Sequence, residues 1–280
     1  MPTSSSPASS ETQLSPIASR PITVVTGGSD GIGLAIARVL AGRGNDLLLV
    51  ARTAERLEET ARSLRGPATG GVAILALDLV RGDACQRLDA ELERLGGHVE
   101  LLVNAAGIGL SGDFAEVSSQ DLHRLVALNV EAPGRLMRHV LPGMRQRGRG
   151  GIINIASLGG YVPGPHQAAY YASKAYLISL SEAVAAEVRP HGVRVTVVAP
   201  GPVETEFHAK MDANNAFYRR LLPSSTPESV ARWAVRGFDL GLKVVVPGVF
   251  NVLSACALRL TPHILLVPLM AWLLDPRRTK

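Results

Sequence analysis

The sequence predicts an α/β protein built as one doubly wound domain, with a mostly parallel sheet of about seven strands and an apolar helical extension behind it. Three observations predict it. From residue 21, strand-like and helix-like segments alternate. A glycine cluster falls between the first strand and the first helix. Hydrophobic residues make up 46% of the 280 and charged residues 19%, enough apolar material for a sizeable core.

Ile22–Thr26 is a short β-branched run that ends in glycines. Residues 32–43 then place Ile32, Ala35, Ile36, Val39 and Leu40 at helical spacing. Leu47–Val50 is a continuous apolar run, as a strand buried on both faces requires. Residues 54–65 are charged and helical. The rhythm repeats with strands at Val72–Leu77, Leu101–Val103, Ile152–Ile155 and Val193–Val198, and helices at 82–95, 118–140 and 167–189. Such alternation implies right-handed βαβ units and helices on both sheet faces. Residues 201–225 break the pattern. Thr226-Pro227-Glu228 then reads as a helix start, with a cap, a proline in the first turn and an acid behind it. Val244–Val246 is a last short strand.

Residues 247–275 are strongly apolar, but Arg259, Pro262, His263 and Pro268 divide them into pieces too short to span a bilayer. They read as two helices packed on the core, on a partner subunit or over a pocket. The alternative is a hairpin resting on a membrane surface. Residues 1–20, with seven serines, three prolines and no apolar run, read as a disordered tail rather than a signal peptide, which implies a cytoplasmic protein. This divides the chain into a tail (1–20), a catalytic domain (21–250, with 201–225 shaping the substrate pocket) and the extension (251–280).

The formal charge is +5, yet the basic residues form no long block, and Arg145, Arg147 and Arg149 read as a solvated helix end. With aromatics at 4%, a stacking surface for nucleic acid is not expected. Cys85 and Cys256 have no metal-ligand spacing.

The first strand runs into Thr26-Gly27-Gly28-Ser29-Asp30-Gly31-Ile32-Gly33. Glycines there let the backbone approach a pyrophosphate, and the helix N-terminus offers unpaired N–H groups and a positive dipole end. A tight turn without a ligand is the alternative, and Asp30 brings a negative charge nearby. Arg52 ends the second strand. An acid there would bind the 2′-hydroxyl of NAD, whereas an arginine can pair with a 2′-phosphate and favours NADP, unless it is an ordinary surface residue. Asp78, after the third strand, can accept from an adenine amino group. Asn104-Ala105-Ala106-Gly107 leaves room for a flat cofactor after the fourth.

Tyr170 and Lys174 lie four apart, on one helix face. A lysine ammonium favours the phenolate and brings tyrosine acid–base chemistry towards neutral pH. Tyr171 has Ala175 at the same offset. Alone, the pair reads as solvated. Ser157 changes that: thirteen residues earlier, at the C-terminal end of the fifth strand, its hydroxyl can hold a substrate oxygen. Asn129 sits inside a helix pattern it does not favour, and its amide is free to bind water or backbone.

These motifs resemble the short-chain dehydrogenase/reductase superfamily. Thr26-Gly27-x-x-x-Gly31-x-Gly33, Asn104-Ala-Ala-Gly107, Asn129, Ser157, Tyr170-x-x-x-Lys174 and Pro200-Gly201 match in type, order and spacing over about residues 21–250. Ala105 replaces a more usual asparagine. The resemblance implies a Rossmann-type fold, Tyr170 as acid/base, Ser157 as carbonyl orienter, Lys174 on the nicotinamide ribose and Asn129 on a water-linked proton path. It also implies Thr205 on the carboxamide and a homodimer or homotetramer.

The expected activity is hydride transfer between NADP(H), with NAD(H) as the second choice, and a hydroxyl or carbonyl group. Phe207, Met211, Phe217, Tyr218 and Leu221 suggest a hydrophobic substrate of steroid, terpenoid or acyl type, though each can equally belong to core or interface. Two other classes remain: a non-catalytic NADP(H)-binding sensor, and a membrane-associated interaction protein.

Overall fold

The structure is a computed structural model that describes residues 19–67, 69–205 and 224–275. Most of the expected N-terminal tail and residues 206–223, with Phe207, Met211, Phe217, Tyr218 and Leu221, lie outside the described residues.

The elements follow the expected order: β1 (Arg20–Thr26), α1 (Gly31–Ala41), β2 (Asp46–Ala51), α2 (Ala54–Leu64), β3 (Val72–Ala76), α3 (Ala84–Arg94) and β4 (Gly97–Asn104). Then come α4 (Ser119–Val126), α5 (Ala132–Arg147), β5 (Gly150–Ile155), α6 (Ala168–Val188), β6 (Val193–Val198), α7 (Pro227–Asp239), β7 (Val244–Val245), α8 (Val249–Leu260) and α9 (His263–Leu274). The strands form one seven-stranded sheet in the order β3-β2-β1-β4-β5-β6-β7. Every pairing is parallel. The winding reverses between β1 and β4, so their C-terminal ends open a crevice there.

Period-two alternation supplies both faces of the core. Val25, Leu49, Val103 and Ile153 point to one face, covered by Ile36 of α1, Leu57 of α2 and Val230 of α7. Their neighbours Val24, Leu48, Leu102 and Ile152 point to the other, under Leu88 of α3, Met137 of α5 and Val188 of α6. Both sets of strand residues are fully buried, which explains the unbroken apolar runs of the sequence. Helix α7 starts as its sequence implies: Thr226 accepts from Ser229 N–H at 3.2 Å, and Pro227 fills the first turn.

The sequence reading needs two corrections. Residues 118–140 are not one regular helix. Between α4 and α5 the backbone widens into a π-helical turn, Ala127–Glu131. The turn carries Asn129, whose amide bonds elsewhere (below). Nor is the arginine group uniformly solvated. Arg147 donates to the Val99 carbonyl at 2.8 Å, and partial burial pushes its pKa down.

The two C-terminal helices each pack one stripe inward. Leu266, Met270 and Leu274 of α9 meet Val162 and Tyr171. In α8, Asn251 and Ala255 are buried, and the Asn251 Nδ2 donates to the Pro247 carbonyl at 2.6 Å. Among the described residues, no helix is long and apolar enough to cross a membrane.

Gly151 in β5 makes room for Phe238 of α7, since a Cβ there would collide with the edge of the Phe238 ring. Gly151→Ala is therefore expected to destabilise the fold by about 1–3 kcal/mol, the usual cost of overpacking. Chemical denaturation of the variant against wild type measures it.

Candidate active site

A cleft of about 360 Å³ opens along the C-terminal edge of the sheet at the crevice between β1 and β4. Its walls hold Gly27, Ser29, Asp30, Gly31, Ile32 and Gly33 from the first turn, and Arg52 and Asp78 from the ends of β2 and β3. Gly107, Ser157, Tyr170, Lys174 and Thr205 complete the expected set that reaches it. Thr26, Asn104 and Asn129 do not line the cleft; they sit behind its walls.

The first turn is shaped by close backbone approach. Gly27 has φ +65°, and a Cβ on it would sit 2.8 Å from the Ala106 nitrogen. A Cβ on Gly33 would strike the Gly27 carbonyl. Buried Thr26 holds the two loops together: its Oγ1 accepts from Ala105 N–H at 3.2 Å and Ala106 N–H at 3.3 Å, and donates to the Val103 carbonyl at 3.2 Å. Asp30 caps α1 by accepting from Gly31 N–H at 2.6 Å. Its charge thus serves the helix end, and the first-turn amides of Ile32 and Gly33 remain for an anion. Thr205 lies across this turn, with its methyl 3.4 Å from where a Gly31 Cβ would be.

At the adenine end, Asp78 Oδ1 accepts from Val80 N–H at 3.3 Å, and Oδ2 from Arg124 at 3.3 Å. Thr53 and Arg56 join Arg52 on the cleft wall. Arg56 carried no signal in the sequence, because Arg52 precedes α2 and no helical offset relates the two. The sequence reading missed Arg124 because the contact spans 46 residues.

At the other end stand Ser157, Tyr170 and Lys174. Ser157 Oγ accepts from Gly159 N–H at 3.1 Å, so its own hydrogen stays available for an acceptor in the cleft. Lys174 is buried, with Nζ 5.7 Å from the Tyr170 ring centroid and donating to the Ile155 carbonyl at 3.0 Å. Burial lowers the Lys174 pKa from 10.5 to about 8. Asn129 bridges three elements. Its Oδ1 accepts from Ile108 N–H at 2.9 Å, and its Nδ2 donates to the Ile108 carbonyl at 2.8 Å and to Ser173 Oγ at 3.2 Å. Ser173 in turn donates to the Tyr170 carbonyl at 2.6 Å. Asn104 donates to Asn154 Oδ1 at 2.9 Å, and Asn154 to Ser181 at 2.8 Å, a buried amide chain beneath the cleft.

These residues fit a nicotinamide dinucleotide. A glycine cradle that Cβ atoms would close faces the helix N-terminus; two arginines and a carboxylate stand at one end, and a tyrosine, serine and lysine at the other.

Comparison with known proteins agrees. The family model described as short chain dehydrogenase matches residues 21–216. A short chain dehydrogenase of Pseudocercospora fijiensis is 38% identical over 196 residues, covering 69% of this chain and 62% of the relative. A short-chain dehydrogenase of Sphingobium yanoikuyae solved in complex with NADPH is 32% identical, with TM-score 0.74 over 85% of this chain and 93% of that one. The bulky-bulky ketone specific alcohol dehydrogenase of Comamonas testosteroni is 30% identical, with TM-score 0.71 over 85% and 92%.

The Lys174 ammonium carries a stability signature. Its pKa is 10.5 unfolded and about 8 folded. Between those values the unfolded chain binds more protons, so the contribution of this group to stability rises with pH. Below about 8 the fold bears the full cost of the buried charge, about 3 kcal/mol. Lys174→Met removes that cost and forfeits one hydrogen bond worth ~1 kcal/mol. The variant without cofactor is therefore expected to be more stable than wild type by about 2 kcal/mol at pH 7. The advantage should shrink as pH rises from 8 towards 10.5. Urea denaturation of both proteins across that range checks it; a pH-independent difference would contradict the assignment.

Proposed function

Since the chain belongs to the short-chain dehydrogenase family, we propose that it is an oxidoreductase that interconverts a hydroxyl and a carbonyl group on a hydrophobic small molecule, using NADP(H). The observation that carries the reading is the meeting of Ser157, Tyr170 and Lys174 in the cleft that also holds the glycine turn. A nicotinamide cofactor bound there supplies or accepts the hydride.

The residues supply everything else. Ser157 donates its free hydrogen to the substrate oxygen and fixes the carbonyl. Tyr170 gives that oxygen a proton in reduction and takes it back in oxidation. The Lys174 ammonium stabilises negative charge on the phenol oxygen and would donate to the nicotinamide ribose. Asn129, tied to Ile108 and Ser173, holds the backbone beside Lys174 and would order a water path to solvent. Thr26 and Asn104 act from behind the walls. Ser29 and the amides of Ile32 and Gly33 would hold the pyrophosphate, Asp78 the adenine, and Thr205 the carboxamide.

Cofactor preference follows from charge. Arg52 and Arg56 both face the cleft where β2 ends, and no acid stands at that position. A 2′-phosphate suits this pair better than a bare 2′-hydroxyl. A hydrophobic substrate is supported by Ile108, Leu158 and Tyr171, which line the cleft with Tyr170. The neighbour named for bulky ketones points the same way. An apolar groove lined by Phe114, Leu122, Val126 and Ala172 supports a homodimer or homotetramer.

Tyr170→Phe is expected to lower kcat by at least ~10²-fold, the usual worth of a positioned general acid, with NADPH affinity retained. Cofactor absorbance against a panel of hydrophobic ketones and alcohols measures the first, and NADPH fluorescence the second. Turnover at the wild-type rate would sink the mechanism. Arg52→Ala is expected to weaken NADPH by about 10–100-fold, the worth of a charged hydrogen bond, and to leave NADH nearly unchanged. Equal losses for both cofactors would remove the argument for NADP.

A further inference from the structure

A helix that is apolar all round has to be covered all round. Helix α9, His263–Leu274, is apolar on every side but buries only the stripe Leu266, Met270 and Leu274. Its other half faces outwards, with Ile264 82% and Leu265 64% exposed, followed by Val267, Leu269 and Trp272. Helix α8 repeats the arrangement: Asn251 and Ala255 face in, while Val249, Phe250 and Leu253 face out. At the turn between them Leu260 is 84% exposed. Two aliphatic side chains thus stand bare on either side of Thr261-Pro262, at the tip of a helical pair. Scattered surface leucines need no explanation, but a contiguous apolar surface does.

Charge selects among possible occupants. From Val249 to Leu274 there is no acidic residue and one formal cation, Arg259. That arginine is paired along the surface, 3.7 Å from Glu182 and 4.5 Å from the Tyr161 ring centre. The sequence after α9 adds Arg277, Arg278 and Lys280 against Asp275 alone. The sequence beyond α9 is net cationic, and the turn between the helices is bare and aliphatic. A bilayer with anionic headgroups meets both features: fluid acyl chains accept bare side chains without shape matching, and the headgroups attract the cations.

We infer that α8 and α9 form a peripheral docking surface for an anionic lipid bilayer, with Leu260, Ile264 and Leu265 inserted at the tip. The helices lie in the interface and do not cross it. The same α9 packs its inner stripe on Tyr171, beside Tyr170. The docking itself does not depend on the redox reading.

The test uses the full chain and vesicles of phosphatidylcholine with or without phosphatidylglycerol. Co-sedimentation is expected with the anionic vesicles, weakening as salt rises. Leu260→Ser with Ile264→Ser is expected to cut partitioning at least about tenfold. Both side chains lie outside the core, so thermal stability and NADPH binding should be unchanged. Neutralising Arg277, Arg278 and Lys280 to Gln is expected to cost roughly fivefold per cation. In a Trp233→Phe background Trp272 is the single tryptophan, and brominated lipid should quench it. Absence of co-sedimentation at low salt overturns the proposal. So does a result in which Leu260→Ser with Ile264→Ser dissociates an oligomer in sedimentation velocity while lipid binding is absent, which would assign the face to a second copy.

Discussion

The Lys174 ammonium is a charge held inside the protein by one backbone oxygen. It sits at the end of β5, donates to the Ile155 carbonyl and lies beside the Tyr170 ring. Its pKa is lowered by burial alone. An acid partner would have raised that pKa again, but would also have offset the positive charge beside the tyrosine. A lone buried cation is costly to the fold and useful to a phenolate. Much of the surrounding architecture serves to hold that cation and the tyrosine in register.

The register comes from Asn129. In a regular α-helix its side chain would point along a uniform spiral, and its amide would compete with the helix backbone. The π-turn inserts extra width at Ala127–Glu131. The amide then reaches both the donor and the acceptor of Ile108 in the loop after β4, and Ser173 in α6. Ser173 returns the contact to the Tyr170 carbonyl. One side chain thereby ties the loop after β4, the helix before it in space and the catalytic helix into a single unit. π-turns of this kind gather at functional sites because they give up one regular backbone bond for a fixed side-chain direction.

Much of this was legible in the sequence. The strand runs were, because a sheet covered on both faces requires unbroken apolar runs, and Leu47–Val50 and Leu101–Val103 have no other simple use. The offset of Tyr170 from Lys174 was, because helix geometry turns an interval of four into one face. The π-turn was not, since it is a response to Ile108 and Ser173, at separations of 21 and 44 residues. For the same reason Arg124 gave no sign of meeting Asp78. Thr26 matched the glycine motif in sequence, yet its hydroxyl is spent on the loop after β4 and lies behind the cleft. Motif membership marks a position in the fold; only geometry separates residues that touch a ligand from those that hold the wall.

The C-terminal apolar run marks the same boundary in another way. Composition favoured helices packed on a core, a partner or over a pocket, with a membrane surface as the alternative, because hydrophobicity without a polar face carries no direction. The structure supplies the direction: Leu266, Met270 and Leu274 point inward and Ile264, Leu265 and Leu269 point out. The inward stripe rests on Tyr171, which packs edge-on to Tyr170 at a centroid distance of 6.0 Å. Tyr171 thus stands between α9 and Tyr170, the contact through which the outer helix meets the cleft wall.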